Sequence, residues 1–82
     1  MSREEFKMFI ETIGFEYAVS FNNIERHDIY NDRYNYKEYR IELYNNYYEF
    51  YNGSEWVYDI DLNDLTPLKQ IERSYKLKKI LG

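Results

Sequence analysis

The residues with the clearest chemical potential are one histidine and a set of carboxylates. His27 is the only histidine and the chain has no cysteine, so we do not expect a transition-metal site, which needs several nitrogen or sulfur ligands. Asp59, Asp61 and Asn63 follow the 1-3-5 spacing of a calcium loop. The sixth position is Asp64 rather than the glycine of that loop, so we interpret the segment as a strand end that leads into a helix.

No arrangement of these residues is typical of catalysis. The chain has 15 acidic residues, but none is paired in the sequence with a base, a metal ligand set or a Gly-rich phosphate loop. We therefore predict that the protein is not an enzyme. We expect no catalytic residue, no metal and no cofactor.

Length and charge narrow the class of protein further. A chain of 82 residues predicts a single domain over residues 1–82. Its net charge of −4 argues against direct nucleic-acid binding, because phosphate contacts need clustered cations. There is neither an apolar run of about 20 residues nor a signal-peptide core, so we expect a soluble, cytoplasmic protein that does not enter a membrane.

The first element predicted is a helix over residues 3–13. Ser2 and Glu5 have the spacing of a capping box at its start. The apolar residues from 6 to 13 recur at the spacing of one helical face. Gly14 stands where a left-handed C-terminal cap belongs.

The next segments have weaker patterns. Apolar and polar residues alternate over 15–21, which predicts a half-buried strand. Asn22-Asn23 is a plausible turn because asparagine tolerates positive φ. Residues 24–30 alternate poorly and are interpreted as a weak edge strand or a loop, and residues 31–35 as a loop.

The centre of the chain predicts a hairpin with a defined register. A two-residue turn at Asn45-Asn46 places Ile41 opposite Phe50, so that apolar side chains meet across the strands. A slip of one residue would move every side chain to the other face, so this register is strongly preferred.

A second hairpin follows directly. We expect a three-residue loop over 52–54 with Gly53 in the left-handed position, because this loop pairs Phe50 with Trp56. A two-residue loop at Asn52-Gly53 would instead place Phe50 opposite Glu55, a mismatch.

The last element predicted is a helix that begins at Thr66-Pro67, with Thr66 as the N-cap. The fold class is therefore α+β, with an N-terminal helix, an antiparallel meander of three to five strands and a C-terminal helix. Both helices are expected to pack on one face of the sheet. That covered face is expected to carry Tyr39, Ile41, Leu43, Tyr48, Phe50, Trp56, Tyr58 and Ile60.

The opposite face of the sheet is then expected to be open and acidic. The register places Glu42 directly opposite Glu49, and like charges in such a pair destabilise a sheet, which marks a candidate site. Tyrosine suits binding because it offers rigid contact area, and acids steer a cationic partner. The alternatives are an ordinary solvated face and a tyrosine excess caused by AT-rich codons. The expected partner-binding residues are Glu42, Tyr44, Tyr47, Glu49, Tyr51, Glu55 and Asp59.

The end of the chain carries a second feature. The first apolar stripe of the C-terminal helix consists of Leu68, Ile71 and Tyr75. A second stripe, Leu77, Ile80 and Leu81, points away from it. Either the helix frays after about Tyr75 or this second stripe packs within its own chain, or the stripe contacts another chain and the protein self-associates, for example as a homodimer. Residues 67–82 carry five basic residues and one acidic residue, so this end is basic while the rest of the chain is acidic.

The chain combines a short length, the absence of a catalytic motif and the Tyr-and-acid hairpins YRIELYNNYYEFYNGSEWVYDIDLNDL. In these features it resembles the small acidic accessory proteins of phages and prophages. Anti-CRISPR and other anti-defence proteins belong to this group. The resemblance implies an inhibitor that blocks a basic, nucleic-acid-processing host protein, for example a CRISPR-Cas nuclease, in the host cytoplasm. The alternative is a structural or self-assembling phage-type protein that associates through its C-terminal helix.

Overall fold

A computed structural model describes residues 1–23, 28–45 and 47–81, with the backbone alone at 22–23, 28–30 and 81. His27 lies outside the described residues. The elements in chain order are α1 (Arg3–Thr12), β1 (Glu16–Asn23), β2 (Asp28–Tyr36), β3 (Tyr39–Leu43), β4 (Tyr48–Asn52), β5 (Glu55–Asp59) and α2 (Thr66–Leu81).

The five strands form one antiparallel sheet in the order β1-β2-β3-β4-β5. This meander between two helices confirms the predicted α+β class. The chain divides into two compact units: Glu16–Ile60 holds the sheet, and Met1–Phe15 with Asp61–Gly82 holds the two helices. The assignment of residues 1–82 to a single domain stays a prediction.

Helix α1 begins and ends as its sequence predicts. The Glu5 N–H donates to Ser2 Oγ at 3.1 Å, and the Ser2 N–H donates to Glu5 Oε1 at 3.3 Å, which completes the capping box. Gly14 follows the helix with φ 110°, a conformation that glycine adopts without strain. Phe6 and Ile10 on the apolar face are fully buried.

Strands β1 and β2 differ from the sequence prediction. Strand β1 continues through Asn23, so the predicted turn at 22–23 is wrong. An extra residue between Tyr17 and Val19 shifts the register, and the strict alternation expected over 15–21 is therefore broken. Residues 31–35 are the middle of β2 and not a loop. Asp32 and Arg33 have partners on neighbouring strands, as in the hydrogen bond from Ser20 to Asp32 at 2.9 Å. Asn31, by contrast, is fully buried, and its side-chain amide has no hydrogen-bond partner among the described residues.

The β3–β4 hairpin has the predicted register. Ile41 lies opposite Phe50, and Leu43 lies opposite Tyr48. All four side chains are buried. The apolar alternation of these strands thus determines their pairing.

The β4–β5 hairpin has a different loop from the predicted one. Asn52 pairs with Glu55, which leaves a two-residue loop at Gly53-Ser54 with Gly53 at φ 65°. Tyr51 then pairs with Trp56, and the next pair skips Val57, which becomes a β-bulge. The prediction that Phe50 faces Trp56 is therefore wrong.

Helix α2 runs without interruption to Leu81, so fraying after Tyr75 is not observed. The side chain that accepts a hydrogen bond at its N-terminus is that of Asp64 rather than Thr66, because the Thr66 N–H donates to Asp64 Oδ1 at 3.2 Å. Hydrogen bonds from Thr66 hold the pKa of Asp64 below its ordinary value. Leu68, on the first apolar stripe, is fully buried.

Candidate partner-binding surface

Glu42 and Glu49 lie opposite each other in β3 and β4, as predicted. Their side chains are nevertheless buried, with exposures of only 4% and 6%. The expectation that this pair presents negative charge on an open face is therefore wrong. A buried carboxylate needs charged or hydrogen-bonding partners, and the neighbouring side chains supply them.

Two arginines and a tyrosine hold the Glu42 carboxylate. Arg33 places Nη2 at 3.0 Å and Nε at 3.1 Å from Glu42 Oε1. Arg40 Nε lies 3.1 Å from the same oxygen, close enough for an ion pair but not aligned for a hydrogen bond. The Tyr44 hydroxyl donates to Glu42 Oε2 at 2.6 Å. Both oxygens of Glu42 are thus bound within the sheet.

Glu49 has a similar phenol partner. The Tyr51 hydroxyl donates to Glu49 Oε1 at 2.8 Å, and the Arg40 guanidinium lies 4.2 Å from the centre of the Tyr51 ring. Burial and the hydrogen bond to Glu49 raise the pKa of Tyr51 to about 12. Burial and the hydrogen bond to Glu42 likewise raise the pKa of Tyr44.

Tyr44 is enclosed by aromatic rings as well as by Glu42. Its ring stacks on Tyr47 with centroids 4.7 Å apart, and meets the Phe21 ring edge-on at 5.7 Å. Its exposure is 3%, whereas Tyr47 is only half-buried. The Tyr44 ring is thus occupied in packing and does not lie on an open face as expected, and its role in partner binding stays a prediction.

These contacts form one group of side chains, which we call the carboxylate cluster. It consists of Arg33, Arg40, Glu42, Tyr44, Glu49 and Tyr51. Two arginines balance two glutamates, so the cluster has no net charge while the phenols stay protonated. Its contacts join β2, β3 and β4 and stabilise the sheet, and its two glutamates are withdrawn from solvent.

The exposed acidic residues of the sheet that were predicted to bind a partner lie on β5. Glu55 and Asp59 are both exposed, at the two ends of the strand. Between them, Trp56 is 55% exposed and Val57 is 44% exposed. We call these four residues the β5 surface. Trp56 and Asp59 pair with Tyr51 and Glu49 and lie on their face of the sheet, whereas Glu55 pairs with Asn52 and lies on the other face of this strand. Since β5 is the last strand in the order of the sheet, it also offers a strand edge.

Trp56 and Val57 are absent from the predicted binding residues: the sequence pattern predicts Trp56 on the covered face, and Val57 on the open face but not in the binding set. The two-residue loop places Trp56 opposite Tyr51 and therefore on the face of the carboxylate cluster. The bulge at Val57 then shifts the next pair by one residue, so that Phe50 pairs with Tyr58 instead of Val57. To predict this position of Trp56 from the sequence, one would have to assume a turn at Gly53-Ser54 together with a bulge. A bulge leaves no clear pattern in the sequence.

The residues predicted for self-association lie on α2. Leu77 is 57% exposed and Ile80 is 80% exposed, and the side chain of Leu81 lies outside the described residues. Because the helix is regular through this segment, Leu77 and Ile80 of the second apolar stripe are presented to solvent.

The calcium-like spacing has a local structural explanation. The Asn63 N–H donates to Asp61 Oδ1 at 2.8 Å, an Asx turn on the approach to α2. In the part of the chain that the structure describes, no three His, Cys, Asp or Glu side chains are grouped as they would be around a metal ion.

Comparison with protein-family models, curated proteins and solved structures finds no significant match to this chain. Neither helix, over the described residues, has the length and apolar character needed to cross a bilayer.

Proposed function

We propose that this protein is a non-enzymatic inhibitor that binds a basic, nucleic-acid-handling host protein in the host cytoplasm through its β5 surface. The observation that carries the proposal is an exposed tryptophan between two exposed acidic residues, Glu55 and Asp59. A CRISPR-Cas nuclease is an example of the partner class. Such nucleases hold nucleic acid in positively charged channels.

Two physical properties of the β5 surface support binding to a cationic protein. Tryptophan is enriched among the residues that contribute most to protein interfaces. Residues 16–60 carry nine acidic and four basic residues, and a field of this sign accelerates encounter with a cationic partner. Tyr47 and Tyr51 are half-buried, and Tyr51 lies opposite Trp56. These tyrosines can therefore contribute to a partner contact only through their exposed atoms.

The proposal is tested by mixing the purified protein with purified CRISPR-Cas nucleases and measuring complex formation and substrate cleavage. We expect a one-to-one complex, reduced cleavage and weaker binding as salt rises. Trp56→Ala should weaken binding about 30-fold, the effect of losing about 2 kcal/mol at a hot spot. Met8→Ala is the matched control, since Met8 is an exposed apolar residue of α1.

The outcomes separate the surface from the partner class. If Trp56→Ala binds and inhibits as well as the unchanged protein, the β5 surface is not the binding site. If the unchanged protein neither binds nor inhibits any nuclease tested, this partner class is rejected.

The exposure of Leu77 and Ile80 favours a second candidate function, self-assembly through α2. Apolar side chains one helical turn apart on a regular helix form a small continuous patch. We propose this as the alternative function, in which the protein acts as a structural or self-associating component.

A further inference from the structure

Besides Tyr17 and Val19 on β1, the described residues have two exposed apolar patches, and these lie on different units of the chain. Trp56 and Val57 form one on the sheet, and Leu77 and Ile80 form the other on α2. Both are small, and each pairs large apolar side chains with nearby charged residues. A protein interface likewise combines an apolar centre with a polar rim.

The charges around the two patches have opposite signs. The β5 patch lies between Glu55 and Asp59, with no basic residue in the strand. On α2, Arg73 lies one turn before Leu77 on the same side of the helix and is exposed. Since residues 67–82 carry five basic residues and one acidic residue, the surroundings of this patch are cationic.

The signs of these charges decide which surfaces of two copies can meet. Two α2 helices placed side by side would bring their lysines and arginines together. Two β5 strands paired antiparallel about Val57 would place Glu55 opposite Asp59, and like charges in such pairs are destabilising. Of these three pairings, the contact of α2 with β5 is the one that brings apolar side chains together and also opposes positive to negative charge.

We infer that the occupant of the β5 surface in self-association is α2 of a second copy of this chain, docked through Arg73, Leu77 and Ile80. This inference rests on the self-assembly proposed above as the alternative function and names the surface that receives the helix. The contact is head-to-tail, because the two surfaces differ. Each copy therefore keeps one free α2 and one free β5, so assembly continues into rings or filaments unless it closes.

The test is sedimentation of the purified 82-residue chain over a wide concentration range, with two single variants. We expect the average mass of the unchanged protein to rise with concentration beyond that of a dimer, and to fall again at high salt. Trp56→Ala removes the receiving surface, and Leu77→Glu adds a negative charge to the docking helix. Each variant alone should remain monomeric with an unchanged circular dichroism spectrum, because both positions are more than half exposed.

Mixing the two variants gives the decisive result. Trp56→Ala still offers an intact α2, and Leu77→Glu still offers an intact β5, so an equal mixture should form dimers and nothing larger. Met8→Glu, a change at an exposed apolar residue of α1, should assemble like the unchanged protein.

Each other outcome overturns a specific statement. An unchanged protein that stays monomeric at every concentration rejects both self-assembly and the inference. If Trp56→Ala still associates alone, self-assembly stands but β5 is not the receiving surface. If both variants are monomeric and their mixture is too, both residues act in one symmetric interface and the head-to-tail contact is rejected.

Discussion

Tyr44 donates a hydrogen bond of 2.6 Å to Glu42, and both side chains are almost fully buried. This contact is one reason why two glutamates can lie opposite each other in β3 and β4. The Glu42 carboxylate also has Arg33 and Arg40 beside it, so the repulsion expected between Glu42 and Glu49 is offset locally.

Removing one arginine should reveal how strongly the sheet depends on this cluster. Arg33→Met leaves Glu42 buried with half of its cationic partners, and we expect a loss of about 2 kcal/mol in the free energy of unfolding. This is less than the ~3–5 kcal/mol typical of a broken buried pair, because the Arg33 side chain is 34% exposed and Arg40 remains. Urea denaturation measures the change.

The control for this prediction is Arg73→Met, which removes an exposed arginine from α2 and should change stability by less than about 0.5 kcal/mol. Combining Arg33→Met with Glu42→Gln should recover part of the loss, since the buried charge is then gone. Equal stability of Arg33→Met and Arg73→Met would mean that the ion pair with Glu42 does not stabilise the fold.

Tyr51 makes stability dependent on pH in the alkaline range. Its pKa is raised to about 12 in the folded state, whereas an ordinary tyrosine has a pKa of about 10. The unfolded chain therefore releases this proton first, and the contribution of Tyr51 to stability is complete below pH of about 10 and is lost as pH rises towards 12. Tyr51→Phe should make the decline in unfolding free energy between these values shallower.

The measurement is a series of urea denaturations from pH 8 to 12 on the unchanged protein and on Tyr51→Phe. Tyr75→Phe is the matched control, because Tyr75 lies on α2 and outside the carboxylate cluster. An identical alkaline slope for the unchanged protein and Tyr51→Phe would contradict the role assigned to burial and to Glu49.

The sequence predicts some pairings of this sheet well and others poorly. The β3–β4 register follows from Ile41 and Leu43, which alternate with polar residues and meet Phe50 and Tyr48. In this hairpin the local pattern and the buried face agree, so only one register buries the apolar side chains.

Strand β2 could not be predicted in the same way. Residues such as Asp32 and Arg33 have the composition of a loop, and they are stable in a central strand because Ser20 and Glu42 lie across from them. Those partners are 12 and 9 positions away in the sequence. A pattern read within one segment cannot contain a contact that forms between segments.

The candidate site was only half predictable for a related reason. Periodicity places Glu42 and Glu49 correctly on one face, but exposure depends on which longer side chains cover them. The position of Trp56 depends on the two-residue loop at Gly53-Ser54, and the bulge at Val57 comes after Trp56 in the strand. The exposed candidate residues therefore lie on β5, whereas the pattern of tyrosines and acids also predicts them on β3 and β4.

The loop that sets the β5 register requires Gly53. This residue has φ 65°, and a Cβ built on it would meet no atom within 4 Å. The cost of Gly53→Ala is therefore conformational alone, about 1 kcal/mol for a left-handed residue with a side chain. Gly53→Asn should cost less, because asparagine tolerates this conformation. Thermal or urea denaturation of the two variants measures the difference, and equal losses would contradict a purely conformational origin.

Charge reversal on the sheet should separate residues that stabilise the fold from residues that bind a partner. Glu55→Lys with Asp59→Lys changes two exposed side chains. We expect this variant to unfold at nearly the same urea concentration as the unchanged protein, since surface changes usually stay within about 0.5 kcal/mol. It should lose binding to a cationic nuclease, because the acids beside Trp56 now repel it.

Glu42→Lys with Glu49→Lys is the matched variant with the same change of net charge. It places two lysines in buried positions beside Arg33 and Arg40, so we expect the domain to unfold or to lose most of its stability. Circular dichroism and urea denaturation of both variants, with binding measured on those that fold, decide the question. A stable Glu42→Lys and Glu49→Lys variant that alone loses binding would return the partner-binding site to the centre of the sheet and away from β5.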